Sequence, residues 1–187
     1  MNRKNAWKNE KLAETLLQGK IAVMPTDTIY GIVAKAENRE AVERVYAARG
    51  RDSRKPCIIL IGEEEQLEKF SIALSEKQKA ELGKYWPGPI SIVFNCPAEN
   101  LEYLHRGTKS LAFRLPANLM LRELLLKAGP LVAPSANTEG AAPARTIAEA
   151  EKYFGDSVDF YADGGTLEGA PSRVVKLNAD GRADIIR

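Results

Sequence analysis

The 187-residue sequence has no G-x-x-x-x-G-K-[ST] phosphate loop, no G-x-G-x-x-G dinucleotide fingerprint and no G-x-S-x-G nucleophile elbow. Chemistry built on those loops is therefore set aside. Histidine is nearly absent, so a Ser-His-Asp triad would rest on His105 alone. That residue lies in the polar stretch Tyr103-Leu-His-Arg-Gly107 and reads as a surface histidine without a catalytic role. Cysteine is scarce too: Cys57 and Cys96 stand far apart without C-x-x-C spacing, the pattern of reduced, buried thiols and not of a structural zinc site. The N-terminus lacks the apolar stretch of a signal peptide, and no run reaches the length of a membrane span. A cytoplasmic protein without a membrane partner is expected.

A strong charge of one sign is also missing. With 27 basic and 25 acidic side chains the formal charge is +2, so no field from the whole molecule draws in nucleic acid or anionic lipid. Any anion site must be local. Hydrophobic residues at 44% and charged residues at 28% fit an ordinary globular protein, and the length fits one domain, residues 1–187, with a sizeable core.

What is there alternates between helix and strand. Asn9 caps a helix with Leu12, Leu16 and Leu17 on one face, Gly19 ends it, and Ile21-Ala-Val-Met24 reads as a buried strand stopped by Pro25. A helix runs from about Asn38 to Gly50, and Cys57-Ile-Ile-Leu-Ile61 has the unbroken apolar pattern of a strand covered on both faces. Ser75 with Gln78 reads as a capping box for a helix to about Tyr85, before Trp86-Pro87-Gly88-Pro89 breaks the chain. Strands follow at Ile90-Ser-Ile-Val-Phe94 and Leu111-Ala-Phe-Arg-Leu115. A helix over 118–128 turns at Gly129-Pro130 into the strand Leu131-Val-Ala133. Thr146 with Glu149 reads as a second capping box for a helix to Phe154, before strands near 158–161, 174–177 and 184–186. The closely spaced late strands suggest antiparallel pairing. The expected fold is α/β, a single-domain mixed sheet with flanking helices.

Arg49, Arg51, Arg54 and Lys55 form the densest basic cluster, between a helix end and a strand start. Side chains there can converge on a triphosphate. A solvated loop at a helix C-terminus, where the dipole favours cations, explains the same cluster. Three loops keep it company: Pro25-Thr-Asp-Thr-Ile-Tyr-Gly31, Pro134-Ser-Ala-Asn137, and Asp163-Gly-Gly165 ahead of Ser172. Each sets hydroxyls, amides or bare backbone near strand ends, where open α/β sheets form ligand crevices. Taken singly, each is also ordinary turn chemistry.

In their combination and order, P-T-D-T-I-Y-G, R-G-R-x-x-x-K-P, W-P-G-P-I-S, A-F-R-L-P, A-P-S-A-N and D-G-G resemble the successive motifs of the YrdC/TsaC synthases, from about residue 10 to Arg187. The resemblance implies a YrdC-like α/β fold, a twisted mixed sheet with a basic concave pocket. It also implies an L-threonylcarbamoyladenylate synthase, which joins L-threonine, bicarbonate or CO2, and ATP into threonylcarbamoyl-AMP and pyrophosphate. The product serves N6-threonylcarbamoyladenosine modification of tRNA through a tRNA threonylcarbamoyl transferase complex.

Carried over by motif, Thr28, Arg114, the Ala133 backbone and Ser172 fall in the threonine site. Arg49, Arg51, Lys55, Ser110, Ser135, Asn137 and Arg187 fall where similar proteins contact ATP, with Arg49, Arg51, Ser135 and Asn137 as the catalytic group. Mg2+ is expected to arrive with ATP, and no metal site of the protein's own is implied. A guanidinium such as Arg114 can hold a carboxylate through two parallel hydrogen bonds, and an internal ion pair is the alternative reason for an arginine inside an apolar strand.

Three positions depart from the family pattern. Arg49 replaces the usual lysine, Arg173 replaces a small hydroxyl after Ser172, where it can reach a phosphate or turn outward, and Pro143 replaces a serine near the nucleotide. The chain stops before the second domain of longer members. Two other readings of the motifs are a non-catalytic double-stranded RNA or nucleotide-binding module, with RNA on the basic face, and a relative that forms carbamoyl-AMP.

Overall fold

A computed structural model describes residues 3–186, with Lys4 described for its backbone alone. Arg187, expected at the nucleotide, lies outside the described residues. The strands are β1 (Ala22–Pro25), β2 (Tyr30–Lys35), β3 (Ile58–Leu60), β4 (Ile90–Asn95), β5 (Ser110–Arg114), β6 (Leu131–Val132), β7 (Phe160–Tyr161), β8 (Arg173–Leu177) and β9 (Ala183–Ile185). They form one mixed sheet in the order β7-β1-β2-β6-β3-β5-β4-β8-β9. The helices are α1 (Arg3–Trp7), α2 (Glu10–Leu17), α3 (Arg39–Arg49), α4 (Glu76–Leu82), α5 (Glu102–His105), α6 (Leu119–Ala128) and α7 (Ile147–Phe154), with a 3-10 segment over Glu64–Phe70.

Local chemistry sets the helix ends. The side chains of Asn9 and Asn38 accept from backbone N–H groups of the first turns of α2 and α3, and Gly50 ends α3 in the left-handed region at φ 57°. Both halves of the Ser75/Gln78 capping box are made. The Thr146 box is half made: Thr146 Oγ1 accepts from Glu149 N, but the Glu149 carboxylate turns back one residue further and accepts from Arg145 N at 2.7 Å.

Two expectations are corrected. The P-T-D-T-I-Y-G segment is not one loop, because β1 runs through Pro25 and pairs antiparallel with β2 from Tyr30 onward, leaving a four-residue tip, Thr26 to Ile29. Of the late strands, β8 and β9 do pair antiparallel, but β7 pairs parallel with β1 at the opposite edge of the sheet. His105 is a third correction. It is buried, Nδ1 accepts from Gly107 N and Nε2 lies 3.3 Å from Ala98 O, so it closes the turn after α5.

Strand alternation divides the core into two layers. Ile32, Ile59, Ile92, Phe94 and Phe113 face one side, under α3, α4 and α7. Ala22, Met24, Val33, Leu60 and Leu131 face the other, under α1, α2 and α6. Each fully buried leucine or isoleucine contributes about 1.5–3 kcal/mol. On the second face the helices stop short: Ile58, Ala112 and Val174 point the same way as Leu60 and Arg114 but stay half exposed. The floor of a cavity is thus left open beside the covered half.

Candidate active site

That cavity, about 330 Å³, is lined by Thr26, Thr28 and Ile29 of the β1–β2 tip, by Ala133 to Ser135 after β6, by Ile58, Ala112 and Arg114 on the sheet, and by Pro171, Ser172 and Val174. The tip is held by Thr26, whose N–H and hydroxyl both donate to the Ile29 carbonyl. Behind it the Tyr30 hydroxyl accepts from Gly164 N and donates to Gly165 O, each at 2.8 Å, tying the D-G-G loop to β2. The irregular strand of chain after that loop crosses the tip so closely that a Cβ on Gly169 would collide with the Thr28 carbonyl oxygen.

Arg114 sits on the cavity floor at 4% exposure. Its Nη2 donates to Asp27 Oδ1 at 2.9 Å and reaches Thr26 Oγ1 at 3.4 Å. The internal ion pair considered for this strand is therefore present. Burial pulls the guanidinium below its ordinary pKa, and the Asp27 carboxylate pulls it back. Nε is buried without a protein partner. A buried, cavity-lining guanidinium with one donor left over has the chemistry to hold an anion. Thr28, Ala133 and Ser172 line the same cavity, and Ser172 Oγ lies 2.9 Å from Ser91 Oγ. The four residues expected around threonine thus meet in one place.

The expected nucleotide residues divide. Arg51 and Ser135 line the cavity, and Arg51 braces its loop by donating to the Lys55 and Pro56 carbonyls. Ser110 lies on the cavity face of β5, two residues before Ala112, with its hydroxyl bonded to Thr108 Oγ1. Arg49 is buried, and burial together with nearby Arg51 lowers its pKa. It grips the S-A-N loop through Asn137 O at 2.9 Å and Ser135 Oγ and Asn137 Oδ1 at 3.3 Å. Asn137 spends its amide on the carbonyls of Thr138 and Ala141. Lys55 pairs with Glu139 at 2.7 Å, and the same carboxylate accepts from Asp52 N. Arg54 is exposed and bonded to Asp52. The basic cluster is accordingly mixed: one arginine faces the cavity, one holds a loop, and two cations sit outside.

The departures resolve the same way. Arg173 is exposed and alternates to the face opposite Ser172 and Val174, so it turns outward. Pro143 is exposed. Cys57 and Cys96 are free and buried as expected, and burial raises the Cys57 thiol pKa. Thr26, Asp27, Tyr30 and Glu139 were not read from the sequence as site residues. Asp27 had a signal, since a buried arginine on β5 demands a nearby acid.

The model of the Sua5/YciO/YrdC family, described as "Telomere recombination", matches residues 14–187. A threonylcarbamoyl-AMP synthase of Pyrococcus abyssi is 34% identical over 175 residues, covering 91% of this chain and 51% of its own length. Another, of Bacillus subtilis, is 34% identical over 139 residues, covering 73% of this chain and 40% of its own. The chain thus spans about half, or less, of the length of these curated relatives. A crystal structure of P. abyssi Sua5 complexed with L-threonine superposes with a TM-score of 0.86 at 29% identity, covering 97% of this chain and 54% of that one.

Proposed function

Because the chain belongs to the Sua5/YciO/YrdC family, we propose that it is an L-threonylcarbamoyladenylate synthase, a nucleotidyltransferase acting as one YrdC-like unit over residues 1–187. It forms threonylcarbamoyl-AMP and pyrophosphate from L-threonine, bicarbonate or CO2, and ATP. The observation that carries the reading is Arg114, a buried guanidinium with an unsatisfied Nε on the floor of a cavity that also holds Thr28 and Ser172.

In this reading the threonine carboxylate lies on Arg114, with Thr28, Ser172 and the Ala133 backbone around the rest of the amino acid. The neutral amine adds to CO2 with loss of a proton, or to bicarbonate with loss of water, to give a carbamate. A carbamate oxygen then attacks the α-phosphorus of ATP and pyrophosphate leaves. No protein nucleophile is needed, so the chain contributes position and charge. Arg51 and Ser135 take phosphate oxygens, Arg49 and Asn137 hold Ser135 in place, and Lys55, Ser110 and Arg187 complete the nucleotide contacts. Lys55 must first leave Glu139.

The described lining offers hydroxyls and cations but no carboxylate, a donor set that does not fit a metal held by the protein. Magnesium enters on the phosphates, as part of the substrate. The product passes to a tRNA threonylcarbamoyl transferase complex, with RNA contact on the basic face. No helix of the described residues is long and apolar enough to cross a membrane, in keeping with a cytoplasmic site of action.

The test is coupled binding. Titration calorimetry should give several-fold tighter ATP binding with threonine present. Equal affinity with and without threonine, together with salt-sensitive RNA binding, would replace the synthase by an RNA-binding module.

A further inference from the structure

Thr26 is 2% exposed, and its single hydroxyl proton has one place to go. Thr26 Oγ1 stands 2.7 Å from the Ile29 carbonyl oxygen. A carbonyl has no proton to give, so so short a contact requires Thr26 to donate. With that proton spent, Thr26 can only accept from Thr28 Oγ1, 3.0 Å away. The Thr28 and Ile29 N–H groups at 3.2 Å and Arg114 Nη2 at 3.4 Å share the remaining acceptor capacity of that oxygen at longer range, so the 3.0 Å contact from Thr28 Oγ1 is the shortest that it accepts. The Thr28 proton therefore points inward, and its hydroxyl turns lone pairs alone toward the cavity it lines.

We propose that Thr26 is a specificity-determining residue that acts through Thr28. By fixing the Thr28 hydroxyl as an acceptor, it makes the cavity select an amino acid whose side chain carries a hydrogen-bond donor, a β-hydroxyl, while the carboxylate lies on Arg114. This rests on the amino-acid site proposed above. One oxygen, Thr26 Oγ1, touches both Thr28 Oγ1 and Arg114 Nη2, so the group that reads the donor and the group that reads the charge are held at a fixed spacing. An isosteric ligand without the donor leaves the Thr28 lone pairs unpaired in a largely buried place. Loss of one such partner corresponds to about tenfold or more in affinity.

The experiment is calorimetric titration, with a non-hydrolysable ATP analogue present, of L-threonine, L-valine, and the threonine analogue bearing fluorine in place of the β-hydroxyl. Fluorine accepts weakly and donates nothing. The wild-type protein should bind threonine at least about tenfold more tightly than either analogue. Thr26→Ser should keep that preference, and Thr26→Val should bring the three ligands close to parity. Equal binding of threonine and the fluorine analogue by wild type overturns the proposal, and so does a Thr26→Val protein that keeps the full preference. If Thr26→Val does not fold, Thr26→Ala, which also removes the oxygen that Thr28 donates to, carries the same comparison with the same two outcomes. Threonine binding without preference removes this inference alone, whereas no threonine binding by folded protein removes the amino-acid site with it.

Discussion

Arg49 reaches across to Asn137, 88 residues further along the chain, and donates Nε to its carbonyl oxygen at 2.9 Å. The same guanidinium meets Asn137 Oδ1 and Ser135 Oγ at 3.3 Å, so it holds both ends of the S-A-N loop. A planar fork can do this and an ammonium cannot. Arg49→Lys should therefore lower kcat by about tenfold or more, although the charge is kept. Arg49→Met should also cost about 2–4 kcal/mol in urea denaturation, because buried acceptors lose a charged donor. Wild-type turnover in Arg49→Lys would mean that the residue acts as a plain cation.

Arg114 and Asp27 form an ion pair 2.9 Å apart, with the arginine buried at 4% and the carboxylate half-buried at 12% side-chain exposure. Removing one member strands the other charge. Arg114→Met should abolish threonine-dependent turnover and destabilise the protein by about 3–5 kcal/mol. Adding Asp27→Asn should recover much of that stability without recovering threonine binding. Urea denaturation beside threonine titration separates the two effects, and threonine binding in the double variant would remove Arg114 from the carboxylate site.

Gly169 packs against the backbone of Thr28, leaving no room for a methyl group. Gly169→Ala should raise KM for threonine several-fold and cost about 1–3 kcal/mol, since the obstructing atom is backbone and cannot turn away. Gly83→Ala is the matched control, because a Cβ there meets nothing within 4 Å. An unchanged KM in Gly169→Ala would show that the crossing segment plays no part in shaping the cavity.

The helices were legible because their ends are local. Asn9, Asn38, Ser75 and Gly50 each satisfy groups within a few residues of themselves. The strand β2 was not, because Pro25 reads as a stop, and its place at the end of β1 depends on pairing with Tyr30 across the hairpin. The site divides along the same line. Thr28, Arg114, Ala133 and Ser172 could be carried over by motif, and they meet in the cavity. The grip of Arg49 on Asn137, the Arg114–Asp27 pair and the Lys55–Glu139 bridge join residues more than 80 positions apart, and no local pattern encodes them. The burial of His105 has the same origin: its polar neighbours suggested the surface, and the contacts to Ala98 and Gly107 close a turn that composition does not describe.

The most direct measurement is pyrophosphate release from ATP and bicarbonate, with and without L-threonine, while the nucleotide product is followed by mass spectrometry. A threonylcarbamoyl adenylate site predicts release that depends on threonine, with threonylcarbamoyl-AMP accumulating in equal amount. Pyrophosphate release indifferent to threonine, or tight ATP binding without release, would contradict it.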